Sequence, residues 1–297
     1  MTGEGRARLL LRPYAFLAVP LLVYVSFLVV PTIHLVGLSM LDWDGLGPRT
    51  FVGLANYVEL FQSEQFWGAL RHNIAWMVMA MIVPIVIGLA LAVFLSRATM
   101  VGRTLFRAAY FVPQVIATVA VAVIWGWILD PSFGAITPIF EAIGLSGLEP
   151  QLLGDETLAL PSLFIVWTWT QYGFAMVILI ASINAIDETY FDAARVDGAG
   201  AVAQFRYVIL PALRVPLATV VLIVAISSFQ VFDLVFVMTN GGPADSTMVL
   251  DLLMLRNSVQ YQRVGYGAAI GVTLALMVWV FSILYLRLRG TFDDTPS

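Results

Sequence analysis

Six long apolar runs alternate with polar segments along the chain: Tyr14 to about Met40, Asn73 to Leu95, Leu105 to Leu129, Leu158 to Ile183, Ala212 to Met238 and Val264 to about Leu286. A helix rises 1.5 Å per residue, so roughly 20 apolar residues cross a hydrocarbon core about 30 Å thick. Each run therefore predicts a membrane-spanning helix, and the fold class is an all-α polytopic membrane protein. The first run is too long for the apolar core of a signal peptide and lacks a small-x-small cleavage pattern, so it counts as a span. Pro20 and Pro31 are expected to bend it, and Pro84 falls near the middle of the second, with neighbouring groups satisfying the freed carbonyls. Between these two spans, Phe51 to Gln62 (FVGLANYVELFQ) reads as an amphipathic segment lying in the headgroup plane. Trp125 and Trp127 close the third span as an interfacial belt.

The polar interruptions differ from one another. Asp187 to Pro211 is rich in acids and arginines. Asp187 suits a helix N-cap, the small residues after it favour helix, and Gly198 and Gly200 break the run. This predicts two short helices joined by a glycine turn, with Pro211 in the first turn of the span that follows. Arginine placement gives the orientation. With the N-terminus in the cytoplasm, the inner segments hold Arg6, Arg8, Arg12, Arg97, Arg103, Arg107, Arg195, Arg206, Arg214, Arg287 and Arg289. The outer ones hold Arg49, Arg71, Arg256 and Arg263. Eleven against four places both termini and the 187–211 loop in the cytoplasm. The expected organisation is a cytoplasmic N-terminus over 1–13, a first span over 14–40 and an extracytoplasmic loop over 41–72. A core over 73–290 contains the 187–211 loop, and a cytoplasmic tail covers 291–297.

Composition narrows the chemistry. Mean hydropathy is +0.91 and only 11% of residues are charged, against about 25% in soluble domains. There is no cysteine, which excludes disulfides and thiol nucleophiles. There is no lysine either, so the chain carries neither a phosphate-loop lysine nor a Schiff-base lysine. His34 and His72 are too few and too scattered for a metal site. The loop from Asp130 to Thr157 holds Asp130, Glu141, Glu149, Asp155 and Glu156 without a cation, but its acids lack metal-ligand spacing and read as a solvated loop.

From Asp192 the order is Asp-Ala-Ala (Asp192, Ala193, Ala194), three residues, Gly198, nine residues, Val208, one residue, Leu210-Pro211. This resembles the Glu-Ala-Ala-x3-Gly-x9-Ile-x-Leu-Pro signature of ATP-binding-cassette importer permeases, with Asp192 and Val208 as like-for-like departures. FVGLANY, the IDETYFDAA entry to the loop, and Thr239-Asn240-Gly241-Gly242-Pro243 with Thr247 resemble the carbohydrate-uptake branch, including the maltose and glycerol-3-phosphate importers. The resemblance covers about Phe51 to the sixth span. It implies the type I importer permease fold with six spans and a coupling loop. Asp187, Asp192, Ala193, Ala194, Asp197, Gly198, Ala199, Gly200, Leu210 and Pro211 would couple to the ATPase. The implied partners are a second homologous permease, two ATPase subunits that bind the ATP and Mg this chain does not, and an extracytoplasmic solute-binding lipoprotein. The setting is a bacterial cell membrane, with a sugar as cargo and no nucleic acid.

A polar solute needs hydrogen-bond partners inside the bilayer, and such groups are costly unless they face a cavity. The fourth span offers Trp169 and Gln171, and the fifth offers Ser227, Ser228, Gln230 and Asp233. Aromatic faces, amides and a carboxylate suit a carbohydrate better than an inorganic ion. Placement against the resembling maltose permease adds Phe174 and Val231 to the substrate-pathway set and repeats Trp169, Gln171, Ser227 and Ser228. The competing reading is helix packing, with serines bonding their own backbone. Asp233 is the one acid within a predicted span, so a pathway role and a structural hydrogen bond both fit it. An ion-gradient-driven secondary transporter is the alternative function, and it would call for intramembrane charge pairs.

Overall fold

A computed structural model describes residues 16–97, 102–144 and 149–293. The expected N-terminal segment 1–13, with Arg6, Arg8 and Arg12, and the last tail residues 294–297 lie outside the described residues. Four helices are long and apolar enough to cross a membrane, and six candidate spans result if two sharply bent helix pairs each count once. The chain divides into two compact units, one of Met1–Ser63 with Leu253–Ala275, the other of Glu64–Leu252 with Leu276–Ser297.

In the first unit, helix α1 (Phe16–Ser39) leads into a two-stranded antiparallel ribbon, β1 (Leu41–Asp42) and β2 (Thr50–Phe51), and then α2 (Ala55–Gln62). Asn56 of α2 is buried and its amide donates to Ser39 O and Leu41 O, both at 2.9 Å, while Tyr57 Oη meets Ser39 Oγ at 2.7 Å. Leu60 is also buried, and Leu54, Val58 and Phe61 are exposed, so the segment has one packed face and one open apolar face. Arg263 pairs with Glu59 at 2.6 Å. Gly265 packs so closely on Leu41 that a Cβ would overlap its carbonyl oxygen.

The second unit is built on two long helices, α3 (Glu64–Arg97) and α7 (Ala159–Asn184). They approach closely because Gly88 has no side chain: a Cβ there would lie 2.7 Å from Ala175 Cβ and 2.9 Å from Met176 N. Below that contact, Ala92 and Leu95 pack with Met176, Leu179, Ile180 and Ile183. Above it, Trp76 meets Phe164 and Trp167 edge-on at 5.6 and 6.0 Å. Between α3 and α7 the chain forms α4 (Arg103–Val115), α5 (Thr118–Ile128) and α6 (Ile136–Ala142). After α7 come α8 (Glu188–Val196), α9 (Ala201–Ala212), α10 (Arg214–Ser228) and α11 (Phe232–Met238). Helix α12 (Leu250–Leu255) and α13 (Val264–Asp293) complete the chain.

Three spans depart from the continuous helices expected. The second begins at Glu64, nine residues before Asn73, because Ser63 is extended and separates it from α2. The third is two helices, α4 and α5, meeting at 94°. Pro113 has no N–H to donate, and Ile116 adopts extended backbone (ψ 134°). The fifth starts at Arg214, bends by 68° from α9, and is interrupted at Phe229–Val231 before α11. Prolines inside helices are otherwise absorbed without a break. Val25–Val29 and Phe205–Ile209 are π-turns, each followed after one residue by a proline, Pro31 and Pro211. In each, the next backbone N–H reaches back five residues, Val30 to Val25 and Leu210 to Phe205, a register shift that accommodates the missing donor. Thr32 Oγ1 also donates to Leu28 O at 2.7 Å.

The α3–α7 contact gives a direct expectation. Gly88→Ala should destabilise by about 1–3 kcal/mol, since backbone atoms of α7 stand where the methyl must go. Gly68→Ala, on the same helix with open space around it, should be neutral or slightly stabilising. Thermal unfolding in detergent checks both, and equal shifts would refute the packing account.

Candidate functional site

The segment from Asp187 to Pro211 forms the two short helices joined by a glycine turn that the sequence predicts, but Pro211 falls near the end of the second helix, α9, and not in the first turn of the fifth span, which starts at Arg214. Asp187 is the N-cap of α8: its carboxylate accepts from Thr189 N at 2.9 Å and Thr189 Oγ1 at 2.8 Å. The backbone bond first, then the hydroxyl, holds the Asp187 carboxyl below its usual range. Arg195 meets Asp192 at 2.9 Å and Glu188 at 3.7 Å, pairs exposed enough to contribute little. The helix then ends in a left-handed glycine. Gly198 has φ +76°, its N–H donates to Arg195 O at 3.0 Å, and Ala199 N donates to Ala194 O at 2.8 Å. This is the Schellman pattern, and it accounts physically for the Ala194-x3-Gly198 spacing. Gly200 is extended and opens α9, where Gln204 N donates back to Gly200 O and Gln204 Nε2 to Ala199 O.

The pair of helices is exposed on one side and fixed on the other. Asp192, Ala193, Asp197, Gly198 and Gly200 are exposed, as are Leu210 and Pro211, and Val196 is 87% exposed. Ile209 and Leu213 are fully buried in the α3–α7 core, and Phe191 and Phe205 pack against it. The sequence reasoning singled out the polar positions and missed these four anchors; their apolar spacing at the rim of a charged loop was the available signal. Two cavities flank the segment. One, of about 530 Å³, is lined by Asn184, Glu188, Phe191, Arg195 and Gln204. The other, of about 760 Å³, is lined by Asp187, Tyr190, Tyr207 and Pro211 among others.

The solute-facing candidates separate into two sets on different helices. Trp169, Gln171 and Phe174 are half-buried on α7. Trp169 meets Trp125 edge-on at 5.7 Å, and Gln171 Nε2 lies 3.4 Å from Thr170 Oγ1. The second set clusters at the interruption between α10 and α11. Ser227 is half-buried, Gln230 is exposed within the interruption, and Asp233 is exposed in the first turn of α11, where the helix dipole favours an anion. Ser228 and Val231 are buried, and Ser228 Oγ donates to Ala225 O at 2.6 Å, so that hydroxyl serves its own helix. Among the described residues, no group of three His, Asp or Glu is placed to hold a metal ion.

Past α11 the Thr239–Thr247 loop is locked from within. Thr247 is buried, its Oγ1 donates to Gly242 O at 2.8 Å and lies 2.7 Å from Thr239 Oγ1. Two residues of α3 hold the segment after it: His72 Nδ1 donates to Met248 O and Asn73 Oδ1 accepts from Leu250 N, both at 2.8 Å.

A predominantly helical, multi-pass transport subunit fits this geometry, and the comparisons place it. Residues 85–295 match the family described as "Binding-protein-dependent transport system inner membrane component", and the chain belongs to that family of ABC-transporter permeases. It is 31% identical over 281 residues to the probable ABC transporter permease protein YurN of Bacillus subtilis, covering 94% of this chain and 96% of that one. It is 32% identical over 293 residues to the diacetylchitobiose uptake system permease protein NgcF of Streptomyces coelicolor, covering 93% and 82%. The fold is that of a chain in the crystal structure of a bacterial ABC transporter that imports alginate, with TM-score 0.84 and 23% identity over 98% of both chains.

Asp251, in the first turn of α12 and outside every candidate span, has its carboxyl pushed up to about 6 by burial. The raised value means the native state binds the proton more tightly than the unfolded chain, whose carboxyl titrates near 3.8. Stability should therefore fall as pH rises from about 4 to about 6 on this group's account. Asp251→Asn should flatten that window and raise the unfolding midpoint at pH 7; an unchanged pH profile would refute it.

Proposed function

We propose that this chain is the membrane-spanning permease of an ATP-driven, binding-protein-dependent importer of a sugar or sugar derivative. It would form the pathway with a second homologous permease. Two ATPase subunits would supply the ATP and Mg sites, and an extracytoplasmic binding protein would deliver the solute. Both termini and the 187–211 segment would face the cytoplasm, in keeping with the arginine distribution. Sugar as cargo is supported by relatives named for uptake of diacetylchitobiose, starch degradation products and trehalose/maltose.

The observation that carries this reading is the exposed helix–glycine–helix segment rooted in the core through Ile209 and Leu213. A rigid α8–α9 pair seated in an ATPase groove would pass ATPase movement to α3 and α7 through those anchors. ATP binding would favour the outward-facing state only through contacts that differ between the two states, and Asp187 to Leu210 would make them. Trp169, Gln171, Phe174, Ser227, Gln230 and Asp233 would touch the solute, with Ser228 and Val231 shaping the wall behind them. Disaccharide, amino sugar, polyol and glycerophosphodiester all remain compatible with this set.

The test is Gly198→Trp in the assembled importer. A bulky side chain is strained at φ +76° and projects into open space where the ATPase would seat. Solute uptake into proteoliposomes should fall about tenfold or more while ATP hydrolysis persists. Uptake at the unmodified rate would exclude the coupling role.

A further inference from the structure

A cavity of about 570 Å³ opens where the end of α5 meets the end of α11. Its lining shares no residue with the 187–211 segment or with the solute-facing set described above. Its volume falls within the range of small-molecule sites, about 300–1,000 Å³. Two exposed aromatic side chains line it, Trp127 at 64% and Phe133 at 69%. Between them Asp130 is fixed rather than free: its Oδ1 accepts from Ser132 N at 2.8 Å and Phe133 N at 3.2 Å. The opposite wall is Thr239, Gly242 and Pro243 of the loop that Thr247 locks.

We infer that this cavity is a receiving site for a neutral sugar at the outer mouth of the pathway. The inference rests on the import reading and on the orientation that turns this end outwards. Aromatic faces in water take the apolar C–H faces of a pyranose, and a pre-oriented carboxylate accepts from its hydroxyls. The same carboxylate sets the charge preference. Asp130 begins a loop to Thr157 that holds five acids and no cation, so an acidic sugar meets like charge there and a neutral one does not. The locked loop is thereby a rigid wall rather than only a helix stop.

The test uses the complete importer in nanodiscs without its binding protein, titrated with maltose, N,N′-diacetylchitobiose and glucuronate and read by saturation-transfer NMR. At least one neutral sugar should bind and glucuronate should bind more weakly. Trp127→Leu, which keeps an apolar anchor, should weaken the neutral sugar about tenfold, and Trp127→Phe should restore most of it. Asp130→Asn should shrink the preference for neutral over acidic sugar by about tenfold. Unchanged titrations in Trp127→Leu and Asp130→Asn, or glucuronate binding as well as the neutral sugars, would overturn the site. If the assembly with its binding protein imports none of these sugars while the titrations still depend on Trp127 and Asp130, the import reading fails and the site stands.

Discussion

Every backbone N–H and C=O that enters hydrocarbon must find its partner inside the protein. The way this chain meets that demand determines where it is rigid and where it is open. At Pro31 and Pro211 the helix survives by widening to a π-turn, so a missing donor costs register and not continuity. At Ile116–Ala117 and at Phe229–Val231 it gives up continuity instead. Non-helical backbone at membrane depth is tolerated where protein or a water-filled cavity covers it. The second interruption exposes Gln230 and places Asp233 at a helix N-terminus. The same constraint that forbids irregular backbone against lipid therefore marks a place where a polar solute could find hydrogen-bond partners.

The α3–α7 contact carries the mechanical side. Gly88 lets two helices meet at backbone distance, and the buried residues below that contact pack with Ile209 and Leu213 at the end of the 187–211 segment and just after it. An exposed helix pair on a flexible loop could bind a partner without moving anything. This pair ends in two fully buried side chains, so displacement of its exposed face must be resisted or transmitted by a close-packed core. Its charged residues contribute little by comparison: the Arg195 pairs with Glu188 and Asp192 are exposed and screened.

Much of this was legible in the sequence because the signals were local or long. Apolar runs of bilayer length gave the candidate spans. The Asp187 cap and the Gly198 stop depend on bonds within six residues, so the helix–glycine–helix segment could be read directly. The breaks in the third and fifth spans escaped because a hydropathy run does not distinguish a straight helix from two helices at 94°. Helix α3 extends nine residues ahead of the apolar run that predicts it, and His72 and Asn73 at that boundary hold the backbone of Met248 and Leu250, more than 170 residues later. Ser228 was read by residue type, and type alone does not say whether a hydroxyl faces a cavity or its own helix. Trp127 looked like a belt residue and Asp130 like a solvated acid; only the return of the chain at Thr239–Pro243 sets them around one cavity.

Those distances separate two tasks that one chain has to perform. The 187–211 segment follows the C-terminal end of α7, and the aromatic cavity is lined from α5, α11 and their flanking loops, with no residue of that segment among its walls. Because the two places share no lining residue, substitutions at them should act additively on stability. The residues around the cavity can then change to suit another solute without disturbing the Ala194–Gly198 turn or its buried anchors. The turn is constrained by its own backbone hydrogen bonds and, on the proposed reading, by an ATPase partner that would hydrolyse the same nucleotide whatever the cargo. This separation gives a physical reason why the helix–glycine–helix pattern can be read plainly in a sequence whose solute specificity cannot.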